Sequence, residues 1–120
     1  MAERIFLSYA NEDRHLVSGV LNALRRHRLV TSDDVVLLDP HDSRPGDDLR
    51  RTIQEQISSA SKVVIIASDN SASSASVNYE AGMASALDKP IVVFGRKGSG
   101  KSASLIRRLP NVQSIELEAA

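Results

Sequence analysis

The hydrophobic residues of this chain form short continuous runs, which alternate with stretches in which apolar residues recur every three or four positions. Three of the runs are rich in valine and isoleucine with little polar alternation, as in strands that helices cover on both faces. The last run alternates apolar and polar residues, which indicates an edge strand. The predicted strands are Arg4–Ser8, Asp34–Leu38, Lys62–Ala67, Pro90–Phe94 and Val112–Leu117.

The stretches between the runs predict helices, because their apolar residues fall on one side at helical spacing. The first two helices are centred on residues 16–24 and 49–57. A third is predicted over Val77–Leu87, and a short fourth over Ser102–Leu109. The predicted buried face of the third helix consists of Val77, Ala81, Ala84 and Leu87.

Strands and helices that alternate along a chain predict an α/β fold with right-handed crossovers. The simplest architecture is flavodoxin-like: a five-stranded parallel sheet in the order 2-1-3-4-5, with helices on both faces. The 120 residues show no internal repeat and no linker. We therefore expect a single domain over residues 1–120.

Composition and charge narrow the classes of function. The formal net charge is 0 and the aromatic residues are only two Tyr and two Phe, so no nucleic-acid partner is expected. The absence of cysteine excludes disulfides and thiolate chemistry. No signal-peptide core and no apolar stretch of about 20 residues is present, so we expect a cytoplasmic protein without a membrane partner. His15, His27 and His41 lack metal-ligand spacing, so no metal site is predicted.

Three segments are expected to meet at the carboxyl edge of the sheet, where ligands bind in such folds. They are the end of the first strand at Ser8-Tyr9, the loop Asp39–Gly46, and the helix that carries Glu80. The loop has eight residues, more than the usual two to six or so, and contains two prolines. Its length, stiffness and position favour a binding role over a solvated connector.

The segments Arg4–Ala10, Leu38–Gly46 and Val77–Glu80 together resemble the Toll/interleukin-1 receptor (TIR) domain family, in order and spacing, over essentially the whole chain. The resemblance is to bacterial and other NAD-consuming members more than to animal receptors. It implies an NAD+ nucleosidase with Glu80 as the catalytic residue, giving ADP-ribose or a cyclic ADP-ribose product. NAD+ is then the substrate, and no cofactor is implied. Immune or stress signalling, antiphage defence and self-association are further implications.

The resemblance also implies a set of substrate-binding residues: Ser8, Tyr9, Asp39, Arg44, Gly46, Ser76 and Tyr79. In the family, the loop that contains Pro45-Gly46 both borders the pocket and mediates contacts between TIR domains. One position departs from the pattern. Many catalytic relatives carry a tryptophan four residues before the glutamate, whereas this chain has Ser76 there and no tryptophan. An aromatic wall for nicotinamide is then either missing or supplied by Tyr9 or Tyr79.

Three alternatives stay open at this level. The missing tryptophan favours a non-catalytic TIR interaction module that self-associates through the Asp39–Gly46 loop. The segment Gly95–Ser102 matches the P-loop pattern of an NTPase, but no magnesium-binding aspartate follows it. A phosphoacceptor receiver shares the sheet order, with Asp69 as its acceptor candidate. Since TIR domains are commonly joined to sensors, a fused or separate sensor or effector domain is a further expected partner.

Overall fold

A computed structural model of the chain describes residues 3–31, 33–38, 46–68, 74–96 and 112–117. The strands are β1 (Arg4–Ser8), β2 (Val35–Leu38), β3 (Lys62–Ala67), β4 (Ile91–Arg96) and β5 (Val112–Leu117). The α-helices in the described ranges are α1 (Val17–Arg26), α2 (Gly46–Ser59) and α3 (Ala75–Ala86), and a 3₁₀ helix over Asn11–Leu16 precedes α1.

The strands form one parallel sheet in which β1 lies between β2 and β3. β4 pairs with β3, and the backbone of β5 pairs with β4 at the edge. The predicted α/β fold with a parallel sheet is confirmed, and the first four strands have the predicted order. The register of β1 on β3 places Ser8 beside Ile65, so both strands end at the same edge of the sheet.

Two hydrophobic clusters pack against opposite faces of the sheet. Successive strand residues point to opposite faces, so Phe6 belongs to one cluster and Leu7 to the other. The Phe6 cluster includes Ile57 of α2 and Val77 of α3. The Leu7 cluster includes Leu24 of α1. The predicted placement of helices on both faces of the sheet is therefore observed.

The elements differ from the prediction in small ways. β4 extends to Arg96, two residues beyond the predicted end. Leu87 was predicted to be buried but is 42% exposed, because α3 ends at Ala86 and the chain then turns through a left-handed conformation at Asp88, with φ of 56°. The predicted helix over Ser102–Leu109 lies outside the described residues.

Asp34 joins the start of β2 to the amino end of β1. One carboxylate oxygen accepts a hydrogen bond from the backbone N–H of Thr31, and the other accepts one from that of Glu3, each at 2.9 Å. These hydrogen bonds, of which the one from Thr31 has the largest effect, hold the pKa of the Asp34 carboxyl below its ordinary value of 3.8. A lowered folded-state pKa stabilises the fold above the unfolded pKa, and that contribution is lost as the pH falls through the folded pKa.

We expect Asp34→Asn to lower the urea midpoint of unfolding at pH 7, because the charge and one acceptor oxygen are lost. The difference from the unmodified protein should shrink as the pH is lowered below the ordinary value of 3.8 and through the lowered pKa of Asp34, where Asp34 itself becomes protonated. Urea titrations at several pH values measure this effect. Asp33→Asn, at the exposed neighbouring position, is the matched control and should leave the midpoint nearly unchanged. Equal effects of the two substitutions at every pH would contradict the assignment.

Candidate active site at the carboxyl edge of the sheet

Glu80 lies on the inward face of α3, although it is ionisable. Its side chain is 0% exposed, and Val77, Ala81 and Ala84 of the same helix are buried with it. The helix begins after Ser74, whose Oγ accepts a hydrogen bond from the backbone N–H of Val77 at 3.2 Å. The spacing of the three apolar residues then turns Glu80 toward the sheet.

Both oxygens of the Glu80 carboxylate accept a hydrogen bond from a serine. The Ser8 hydroxyl, at the carboxyl end of β1, donates to Oε1 at 2.5 Å across a separation of 72 residues. The Ser76 hydroxyl, one helical turn before Glu80, donates to Oε2 at 3.4 Å. Ser8 is also 0% exposed. The carboxylate thus faces the carboxyl end of β1 and not bulk solvent, as the sequence predicted for Glu80.

A second buried carboxylate lies at the same edge of the sheet. Asp13, in the 3₁₀ helix after β1, is buried and accepts a hydrogen bond from the Ser68 hydroxyl, directly after β3. The pair joins the segment that follows β1 to the end of β3. The sequence analysis did not select either residue. The sequence does show an acidic residue, Asp13, shortly after a predicted strand. Its burial, however, follows only from the packing of the 3₁₀ helix.

Tyr9 and Tyr79 do not form a wall beside Glu80. Tyr9 follows Ser8 directly, so it points to the opposite face and packs in the cluster with Leu7. Tyr79 precedes Glu80 on α3 and is 42% exposed, because neighbouring helical residues point about 100° apart. Of the two possibilities that the sequence left open, a missing aromatic wall or one supplied by Tyr9 or Tyr79, the placement of these two residues fits the first. The residues that the structure does bring together are Ser8, Ser76 and Glu80.

Other sequence predictions fall wholly or partly outside the described residues. Asp39, Arg44 and Asp69 lie outside them, and the backbone of Gly46 begins α2. The segment Gly95–Ser102 starts within β4, where the backbones of Gly95 and Arg96 pair with β5, and the remainder is not described. Within the described ranges, no group of three His, Asp or Glu side chains is arranged to hold a metal ion. No helix in those ranges is long and apolar enough to cross a membrane.

Comparison with known families gives one match over most of the chain. The model of the TIR domain family matches residues 5–118. No curated protein sequence matches the chain.

Several solved structures share the fold. The CMP N-glycosidase BcmB of Clostridium botulinum is 15% identical with a TM-score of 0.64, and the match covers 96% of this chain and 89% of that chain. The 2-desoxiribosyltransferase of Leishmania mexicana is 18% identical with a TM-score of 0.53, covering 78% and 64%. The TIR domains of the activated Roq1 resistosome are 20% identical with a TM-score of 0.54, covering 78% and 58%. At these identities the likeness shows a common fold alone.

Proposed function

This chain belongs to the TIR domain family, and we propose that it is an NAD+ nucleosidase in which Glu80 is the catalytic residue. The observation that carries the proposal is the buried Glu80 carboxylate at the carboxyl end of β1, hydrogen-bonded by Ser8 and Ser76. Perturbed or buried ionisable groups at the ligand-binding edge of an α/β sheet are candidates for catalysis. Most glutamates on helices lie at the surface, where they can pair with a lysine or arginine. Glu80 is instead buried.

The chemistry needs few protein groups because of the charge on NAD+. When the bond between C1′ of the ribose and the pyridinium nitrogen breaks, the electron pair goes to the nitrogen and nicotinamide leaves as a neutral molecule. No acid has to protonate it, unlike the departing oxygen in ordinary glycosidases, which use two carboxylates. Positive charge grows on the ribose, and a carboxylate in a partly dry site stabilises that charge more strongly than water does.

Glu80 is suited to this task by its position. As a hypothesis, its carboxylate accepts hydrogen bonds from the ribose hydroxyls and offsets the developing charge at C1′. The Glu80 side chain is fully covered in this structure, so it must become accessible before the substrate can bind. Water then adds to C1′ and releases a proton, giving ADP-ribose, or a nucleophile within the same molecule adds and gives a cyclic product. Which of these nucleophiles reacts depends on how the bound substrate is positioned.

The remaining substrate contacts are proposals from the family resemblance. They are assigned to the loop residues Asp39, Arg44 and Gly46 and to the exposed Tyr79. Ser76 stands where relatives carry a tryptophan, and its hydroxyl donates to Glu80. Since no aromatic ring takes that place on α3, we expect weak binding of the nicotinamide ring. Assays therefore require high protein and high NAD+ concentrations.

A second candidate function is hydrolysis of a nucleoside monophosphate, since a CMP N-glycosidase shares the fold over nearly the whole chain. The leaving base of CMP is neutral, so its departure requires an acid that protonates it. Among the described residues, Asp13 is the second buried acid at this edge, and its carboxylate accepts a hydrogen bond from Ser68. Cleavage of NAD+ needs no second acid. NAD+ is therefore the favoured substrate. The test is chromatography of products from NAD+ and from CMP in parallel. Release of nicotinamide supports the proposal, whereas release of cytosine alone would show that the second candidate function is the correct one.

We also propose that activity depends on self-association and serves immune or stress signalling, such as antiphage defence, in the cytoplasm, together with a fused or separate sensor. TIR domains typically self-associate, and a TIR resistosome shares this fold. Tyr79 and Leu87 place large apolar groups on the surface at and just beyond α3, the helix that carries Glu80. The NAD+ assay, repeated with and without enforced oligomerisation, tests the dependence. An oligomer without NAD+ loss would instead select the non-catalytic interaction module.

A further inference from the structure

We propose that Ser8 is a positioning residue, which fixes the Glu80 carboxylate relative to the sheet and does not itself contact the substrate. The inference rests on the proposed catalytic function of Glu80. It changes the role expected for Ser8 from the family resemblance, which placed it among the substrate contacts. Three features of the structure support the change: the length of the bond, the burial of both partners and the elements that the bond joins.

The bond between Ser8 and Glu80 has the length of a charge-assisted hydrogen bond. The distance of 2.5 Å from Ser8 Oγ to Glu80 Oε1 falls in the range of about 2.5–2.7 Å that hydroxyl–carboxylate pairs adopt. A serine hydroxyl has a single hydrogen to donate, and here it is directed at Glu80. Both side chains are fully buried. The single hydroxyl hydrogen of Ser8 is therefore committed to the carboxylate, and Ser8 has no hydrogen to donate to a ligand while this bond holds.

The two serines that contact Glu80 have different structural consequences. Ser76 lies on the same helix as Glu80, so its bond moves with the helix and cannot fix the helix on the sheet. Ser8 lies in β1, an interior strand of the sheet, and is paired with Ile65 of β3. Its bond joins the carboxylate of α3 to the hydrogen-bonded sheet. Precise placement of a reacting group requires support of this kind.

The two bonds to the carboxylate also differ in length. Oε1 is held at 2.5 Å by Ser8, whereas Oε2 has the longer contact of 3.4 Å with Ser76. The shorter bond is the one that crosses from the helix to the sheet. Loss of Ser8 is therefore expected to impair the chemical step more than loss of Ser76 does.

The test compares Ser8→Ala and Ser76→Ala in the full chain, with NAD+ as substrate. For Ser8→Ala we expect kcat to fall about 10- to 100-fold with KM changed by less than about threefold, because a bond to a charged group is lost. Ser76→Ala should lower kcat by less than Ser8→Ala does, because its contact with Glu80 is longer and lies within α3. Ser8→Thr, which keeps the hydroxyl and suits a strand, should restore part of kcat. Ser59→Ala is the matched control, since the Ser59 hydroxyl is exposed and donates to Gln56 O in its own helix.

A second measurement does not require activity. In protein labelled with ¹³C at the glutamate carboxyl carbons, the Glu80 signal is assigned by its absence in Glu80→Gln. We expect Ser8→Ala to move that signal and Ser59→Ala to leave it in place. An unmoved signal in Ser8→Ala, or an unchanged kcat, would overturn the proposal. If the signal moves but NAD+ turnover survives in Glu80→Gln, the proposed function fails, and with it the positioning role of Ser8 in the reaction, while the hydrogen bond itself is confirmed.

Discussion

Replacing Glu80 with glutamine is expected to lower NAD+ turnover about 100- to 1,000-fold while the protein stays folded. The two side chains have nearly the same shape, and the amide oxygen of glutamine can still accept the hydrogen bond from Ser8. The buried packing around Val77 and Ala81 is therefore preserved. What disappears is the negative charge that offsets the positive charge on the ribose in the transition state. Chromatography of nicotinamide and ADP-ribose, at high protein concentration, measures the loss.

The control for this experiment is Glu55→Gln, at an exposed position of α2. It makes the same chemical change away from the sheet edge and should leave turnover within about twofold of the unmodified protein, as surface substitutions usually do. Circular dichroism and thermal melts of both variants separate loss of chemistry from loss of fold. If Glu80→Gln turned over NAD+ at the original rate, the carboxylate would have no part in the reaction.

Phe6→Ala is expected to lower the free energy of unfolding by about 3–5 kcal/mol. Phe6 is fully buried in the interior strand β1, in the cluster that also contains Ile57, Val63 and Val77. Its removal takes a large apolar surface out of the core and leaves a cavity between the sheet and helices α2 and α3. Since a domain of this kind typically has about 5–15 kcal/mol of stability in total, a large part of that reserve would be lost.

Urea unfolding followed by circular dichroism measures the effect of this substitution. Phe6→Leu is the matched comparison, because it removes less volume and should cost clearly less than the alanine variant. A loss below about 1 kcal/mol for Phe6→Ala would mean that the core collapses into the space or that the strand is not held there, and it would contradict the packing described above. Phe6 and Ser8 point to the same face of β1, so a substitution at Ser8 can also disturb the packing around Phe6. The same urea unfolding assay is therefore the control for every substitution at Ser8.

The sequence predicted the sheet and the direction of Glu80 because both depend on short-range periodicity. Apolar runs gave the positions of the strands to within two residues. The spacing of Val77, Ala81 and Ala84 placed Glu80 on the buried side of α3, as the structure confirms. The same rule wrongly predicted that Leu87 is buried, because periodicity does not show where a helix ends. The helix α3 ends one residue earlier, at Ala86.

What surrounds the carboxylate was decided by the tertiary structure. The bond from Ser8 to Glu80 spans 72 residues, and that between Ser68 and Asp13 spans 55, so no local pattern records either of them. The family resemblance placed Tyr9 in the pocket together with Ser8, yet strand alternation sends it to the opposite face. The sequence alone determined which residues form the strands and which side of α3 is buried, since those follow from spacing along the chain. Only the packing of α3 on β1 decided which hydroxyls hold the carboxylate, since that depends on how the helix sits on the sheet.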